Sequence, residues 1–246
     1  KTIKIQNFDY SKSSSQKLSL GLSGASGKFK DVTEADFSGS HVRFDSSSQN
    51  DNINAILSGN ETTLKKLDLS NIADGADGYN TTGGVNTSID LKKFTALTDI
   101  NLSGNVGLTT VTIAPDVVEN NAYTTLNISG DTALANLNAT ATGKDIAKYR
   151  EYNPGLYQGI RFITNGGTKG STTLDLSDYT MKTIDVEYAM ITGFVAPSAG
   201  SSNLNINLSH NYLRTLNLSK AKGELGSLNV TENQLLDIDL SGQDTL

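Results

Sequence analysis

Residues 213–240 read Leu-Arg-Thr-Leu-Asn-Leu-Ser-Lys-Ala-Lys-Gly-Glu-Leu-Gly-Ser-Leu-Asn-Val-Thr-Glu-Asn-Gln-Leu-Leu-Asp-Ile-Asp-Leu. The triplet Leu-x-x-Leu-x-Leu recurs here as Leu213-Leu216-Leu218, Leu225-Leu228-Val230 and Leu235-Ile238-Leu240. Marked by their middle residues, the triplets run Leu174, Ile184, Phe194, Ile206, Leu216, Leu228, Ile238, in steps of 10, 10, 12, 10, 12 and 10. Two steps make a period of 20–22 residues. A fixed period of that size marks a solenoid, in which each unit buries its apolar edge against its neighbours.

Upstream the spacing returns with interruptions, at Val32-Ala35-Phe37, Leu64-Leu67-Leu69, Leu97-Ile100-Leu102, Leu108-Val111-Ile113, Tyr123-Leu126-Ile128, Leu134-Leu137-Ala139 and Tyr157-Ile160-Phe162. The last two apolar residues of each triplet are two apart, as a strand requires if both are to point inward. Between them stand Asp68, Asn101, Asn127, Asn138, Asp175, Asp185, Asn207, Asn217, Asn229 and Asp239. These side chains are expected in a row on the outer face of one parallel sheet, with Leu216, Leu228 and Ile238 stacked in its core.

A second pattern sits three residues past each triplet. Asn105, Asp131, Asn211 and Asn233 hold that position in some units, while Asp116, Thr142, Ala221 and Gln243 hold it in the units between. An Asn there can bond a tight turn and tolerate left-handed backbone. The true repeat is therefore the pair of half-units. Pro115, Pro154 and Pro197 all lie outside the triplets, where a missing donor harms a sheet least. Longer breaks fall near 38–63, 70–96, 114–122, 140–156 and 163–170. Helical spacing predicts a short helix over Asp51 to Leu57, a helical turn at Leu91, Phe94 and Leu97, and a third helix over Lys144 to Glu151. Residues 1–60, with strand-like runs at Thr2–Gln6 and Lys17–Leu22, read as an N-terminal cap region. Residues 61–246 read as one repeat body with insertions near 70–96 and 140–170.

The run Leu225 to Leu246 resembles the bacterial leucine-rich repeat of the 21-residue class, with nested half-repeats LxxLxLxxNxLxxLDLxx. Asn203 to Ser219 and Leu97 to Ile113 match the same pattern. Leu64-Lys-Lys-Leu-Asp-Leu-Ser-Asn71, a long loop, and then Phe94 to Ile113 resemble the opening of BspA-like surface repeat proteins. The resemblance covers about 64–246 with gaps. It implies a leucine-rich-repeat solenoid of the α/β superhelix type, mostly β with short helical turns. It further implies an exported bacterial protein, secreted or at the cell surface, that engages other macromolecules without catalysis. No individual binding residue carries over.

Composition narrows the field. The chain has 246 residues, a net charge of −6, no cysteine and no Trp. An acidic chain argues against a phosphate-binding surface, so no nucleic acid is expected as partner. Disulfides and thiol chemistry are impossible. No apolar run reaches the roughly 18 residues of a membrane span. A signal peptide or lipid anchor removed from the mature chain would leave no trace in this sequence.

Candidate chemistry is sparse. His41 and His210 are the only histidines. His210 lies in a Ser-His-Asn turn and reads as a surface turn residue. Asp74-Gly-Ala-Asp77-Gly-Tyr-Asn80 has the wrong spacing for a calcium loop. Asp131-Thr132-Ala and Asp244-Thr245-Leu are weak matches to an O-glycosylation motif of Bacteroides-like bacteria. The Asp and Asn row, including Asn127, Asn138, Asp175 and Asp185, reads as solvated sheet surface or as a ligand ladder. Catalysis would need converging carboxylates with a Lys or Arg base, and Arg161 is the only cation on the row. The sharpest irregularity is 143–162, where Tyr149, Arg150, Tyr152, Tyr157 and Arg161 concentrate in an aromatic-poor chain. Tyr and Arg dominate binding hot spots, so these residues and the strand row are the expected partner surface for a protein or glycan. No catalytic residue, cofactor or metal is expected. The competing expectations are a carbohydrate-active parallel β-helix enzyme, polysaccharide-lyase-like, and a purely structural spacer.

Overall fold

A computed structural model describes residues 1–6, 29–40, 53–72, 87–152, 158–165, 171–198, 203–221 and 225–243. Within them the chain is mostly parallel β-structure with few helices. Its strands are short. They are β1 (Thr2–Lys4), β2 (Glu34–Asp36), β3 (Lys66–Asp68), β4 (Ser88–Asp90), β5 (Asp99–Asn101), β6 (Thr110–Ile113), β7 (Thr124–Asn127) and β8 (Asn136–Ala139). They continue as β9 (Ile160–Ile163), β10 (Thr173–Asp175), β11 (Thr183–Asp185), β12 (Gly193–Val195), β13 (Leu204–Asn207), β14 (Thr215–Asn217), β15 (Leu225–Asn229) and β16 (Asp237–Asp239). The helices are α1 (Ile53–Ile56) and α2 (Ile146–Tyr152).

The triplets do not form one sheet. Hydrogen bonding orders β1-β2-β3-β5-β7-β9 in one six-stranded sheet and β15-β13-β11-β8-β6-β4 in another, with β10-β12 and β14-β16 as parallel pairs. From β3 onward a strand bonds to the next but one, or farther, and never to its immediate successor. Ile184 lies beside Ile206, and Ile206 beside Leu228, while Leu216 lies beside Ile238. Successive half-units thus alternate between two faces, because a step of 10–12 residues carries the chain across the core and two steps bring it back. The core is shared: Leu67, Ile100 and Leu126 of one sheet and Val111, Leu137 and Ile184 of the other belong to one buried cluster.

Three expectations about burial change with this geometry. Leu216 is buried, but Leu228 is only partly so and belongs to the other sheet. Ile238 is 42% exposed, because no described strand lies beyond β16 to cover it. Tyr123 is exposed, and the buried start of its strand is Thr124, whose hydroxyl bonds the Leu97 carbonyl at 2.7 Å. A strand also appears where a break was expected: β4 lies inside 70–96 and pairs with β6. Leu91 and Phe94 form turns rather than a helix.

Many of the strands have a local reason to end. Where a strand closes on Asp or Asn with Ser or Thr two residues on, the terminal side chain accepts both the amide and the hydroxyl of that Ser or Thr. Asp68 does so for Ser70 at 2.9 and 2.7 Å, and Asn127 for Ser129 at 3.1 and 2.7 Å. This side-chain turn bends the backbone out of the strand. Behind it lies an inner ladder. Asn105, Asp131 and Asn211 are fully buried. Asn211 accepts the Ile191 amide at 3.1 Å and donates to the carbonyls of Val186 and Leu208 at 2.7 and 3.0 Å. Asn105 likewise accepts from Ile72 and donates to Leu69 and Leu102. Neither these three residues nor Asn233 adopts the left-handed turn conformation expected of them. That falls on their predecessors Gly104, Gly130, His210 and Glu232.

Candidate functional site

The outer strand row divides between the two sheets and bonds to itself. On the first sheet Asn101 donates to Asp68 and Asn127 to Asn101, both at 3.0 Å. Asp175 of β10 is taken by Ser177. On the second sheet Asn138 and Asn207 both donate to Asp185, at 3.2 and 2.9 Å. Asn127, Asn138, Asp175 and Asp185 therefore do not come together as one site. Burial, then the neighbouring Glu187 charge, holds the Asp185 carboxyl above the usual carboxylate range, while the Asn207 amide works against the shift.

The insertion does converge with something, and it is not the row. Helix α2 has no fully buried residue, but Ile146 and Tyr149, at helical spacing, pack their inner faces on the core. Tyr149 reaches the Asn121 amide oxygen at 3.3 Å. Arg150 extends from the helix across two turns of the second sheet. Its Nη2 donates to the Asn211 carbonyl at 2.6 Å and the Glu232 carbonyl at 2.9 Å, and its guanidinium lies 4.7 Å over the Tyr212 ring. Tyr152 projects into solvent, 74% exposed. The insertion is thus partly a plug, through Tyr149, and partly a presenting element.

The turns under Arg150 carry an unusual column. Two residues past the triplet the backbone is left-handed at Gly39, Asn71, Gly104, Gly130 and Gly242, which follow β2, β3, β5, β7 and β16. These residue types tolerate that conformation. After β11, β13 and β15 the same position is Tyr188, His210 and Glu232, with φ of 51, 56 and 55°. Left-handed backbone costs an ordinary residue such as Tyr188 or Glu232 about 1 kcal/mol or more, and a His less. The rings of Tyr188 and His210 stack at 4.3 Å and 8°. Burial, then the charge of Glu187, raises the Tyr188 hydroxyl above its ordinary value, so it stays protonated. Beside the column a cleft of about 570 Å³ is lined by Lys148, Arg150, Glu151, His210, Tyr212 and Glu232.

Of the residues singled out in sequence, Arg150 lies in this cleft and Tyr149 and Tyr152 lie on the helix that forms its wall. Arg161 has other partners: it sits on β9, 5.2 Å over Tyr123 and 3.9 Å from the Met190 sulfur, and its partial burial lowers its basicity. Tyr157, His41, Thr245 and the 74–80 loop lie outside the described residues. Nothing in the triplet spacing singles out Tyr188, Tyr212 or Glu232, and His210 reads there as a surface turn residue. A signal existed. Ser-Gly-Asn, Ser-Gly-Asp, Ser-His-Asn and Thr-Glu-Asn occupy the same register at residues 103–105, 129–131, 209–211 and 231–233. In that alignment His210 and Glu232 stand where a glycine is the cheap choice.

Among the described residues no group of His, Asp or Glu is arranged to hold a metal, and no helix is long and apolar enough to cross a membrane. The fold and site describe a mostly parallel β protein with a mixed aromatic and charged cleft among the described residues. Comparison with protein-family models, with curated proteins and with solved structures gives no match.

Proposed function

We propose that this chain is a leucine-rich-repeat solenoid of the nested 21-residue class, serving as a non-catalytic binding module of an exported bacterial protein. Its partner is a protein or glycan of the extracellular or cell-surface environment. The offsets of 20 and 22 residues between Leu174 and Phe194, and between Leu216 and Ile238, support the repeat reading. The observation that carries the binding reading is the Tyr188–His210–Glu232 column under Arg150. Backbone strain is spent there on side chains that the turn itself does not need, as happens at functional sites. The acidic strand positions contribute little, since their oxygens are engaged in the ladders.

A second reading is a carbohydrate-active β-helix enzyme. Two parallel sheets around one core favour it, as does the presence of His210 near Tyr, Lys and Arg. The experiment that separates them presents the whole chain with immobilised polysaccharides and extracellular-matrix proteins and analyses the supernatant for cleavage products. The binding reading predicts retention on at least one support, weakened by Arg150→Ala, with every support intact. Release of unsaturated or reducing products, abolished by a cleft substitution, would establish the enzyme instead.

A further inference from the structure

The chemistry of the cleft narrows the partner. Two cationic side chains, Lys148 and Arg150, face two carboxylates, Glu151 and Glu232. An anionic ligand would meet the carboxylates and a cationic one the Lys and Arg, each at a cost in mispaired charge. An apolar ligand would strip water from all four without replacing its hydrogen bonds. A ligand rich in hydroxyls suits every one of them, because a hydroxyl both donates and accepts. Ring geometry adds a second constraint. The Tyr188–His210 column stacks ring on ring up to the cleft, and the next position is the non-ring side chain of Glu232. A ring-shaped ligand with one apolar C–H face and a rim of hydroxyls can extend that column above Glu232, with that face on the imidazole and its rim among the charged groups. The cleft volume falls in the range of small-ligand sites, about 300–1,000 Å³, rather than of the extended surface a protein partner covers.

From these observations we infer that the α2 cleft binds a neutral oligosaccharide, one sugar ring stacking on His210 while its hydroxyls bond Lys148, Glu151 and Glu232. The inference rests on the binding reading above and specifies its ligand. Calorimetric titration of the whole chain with short neutral gluco-, manno-, xylo- and galacto-oligosaccharides, and in parallel with oligouronates, tests it. At least one neutral series is expected to bind, and His210→Asn to weaken it by about tenfold or more. That substitution removes the stacking face yet keeps a residue suited to left-handed backbone. Glu151→Gln and Lys148→Ala, at exposed positions, should also weaken binding with the melting temperature unchanged. Three results would overturn the assignment: no neutral saccharide bound, oligouronates bound in preference, or neutral binding indifferent to all three substitutions. If saccharides fail while an immobilised protein is held and Lys148→Ala releases it, the saccharide assignment falls and the binding reading stands. Polysaccharide cleavage would overturn the binding reading itself.

Discussion

Asp131 is the residue at which the ladder is chemically out of place. Its Oδ1 accepts the Asn105 backbone amide at 2.8 Å, while its buried Oδ2 has no partner among the described residues. At the equivalent atom Asn105, Asn211 and Asn233 carry an amide that donates to backbone carbonyls. A carboxyl can imitate that donor only when protonated. Burial pushes Asp131 up from 3.8 to about 8, against the Asn105 bond that favours the anion. A group whose folded pKa lies above its unfolded value gives stability that is complete below the unfolded value and lost as pH climbs through the folded one. The thermal stability of the wild-type chain should therefore fall as pH rises from 3.8 towards 8, read as a falling melting temperature. Asp131→Asn should flatten most of that slope and stabilise the chain by about 1–3 kcal/mol at the alkaline end, where a buried unmet group is relieved. Asp185, also held high, leaves a smaller slope of the same sign. An unchanged pH profile in Asp131→Asn would show that the carboxyl is not the buried acid described. Asp131 shows how much was legible in the sequence and how much was not. The spacing revealed that the position recurs, but not that it faces inward, because the direction of an Asn after a strand depends on which neighbour supplies the carbonyls.

Among the elements, strand spacing was readable and strand partnership was not. Triplets alone locate most strands, since two inward apolar residues at i and i+2 are a local signature. Partnership depends on where the chain points after each turn, and no local pattern states that. Burial at the same triplet position then differs with the neighbours. Leu137, fully buried between β6 and β11, should cost about 2–5 kcal/mol when truncated to Ala. Ile238 at the exposed β16 should cost within about 0.5 kcal/mol. Denaturant unfolding of the two variants compares them directly, and equal losses would contradict the uncovered β16 surface. Helix α2 divides in the same way. Tyr149→Ala should lower the melting temperature, because it removes packing on the core, whereas Tyr152→Ala should leave it unchanged. The reverse result would make Tyr152 the plug and undo the assignment of α2 as the cleft wall.

At the scale of the whole molecule, the cleft exists only because alternate half-units stack. Tyr188, His210 and Glu232 lie in the turns that follow β11, β13 and β15, which are neighbours in space but separated in sequence by β12 and β14, strands that bond elsewhere. In a single sheet of successive triplets, the turns of β12 and β14 would fall between them and break the column. The central claim is therefore next-but-one stacking, and a cysteine-free chain allows a clean test. Asn205 and Ser227 are register partners on β13 and β15, and the Ser227 hydroxyl donates to the Asn205 side chain at 2.8 Å. Thr215 lies on β14, between them in sequence but bonded to β16 instead. Neighbouring strands bring Cα atoms within disulfide reach, whereas residues on opposite faces of a core are too far apart. Under mild oxidation the pair Asn205→Cys with Ser227→Cys is predicted to cross-link, read as loss of free thiols by mass in the folded chain. The pair Thr215→Cys with Ser227→Cys is predicted to stay reduced. Cross-linking of the second pair and not of the first would contradict the two-sheet account and, with it, the column on which the cleft depends.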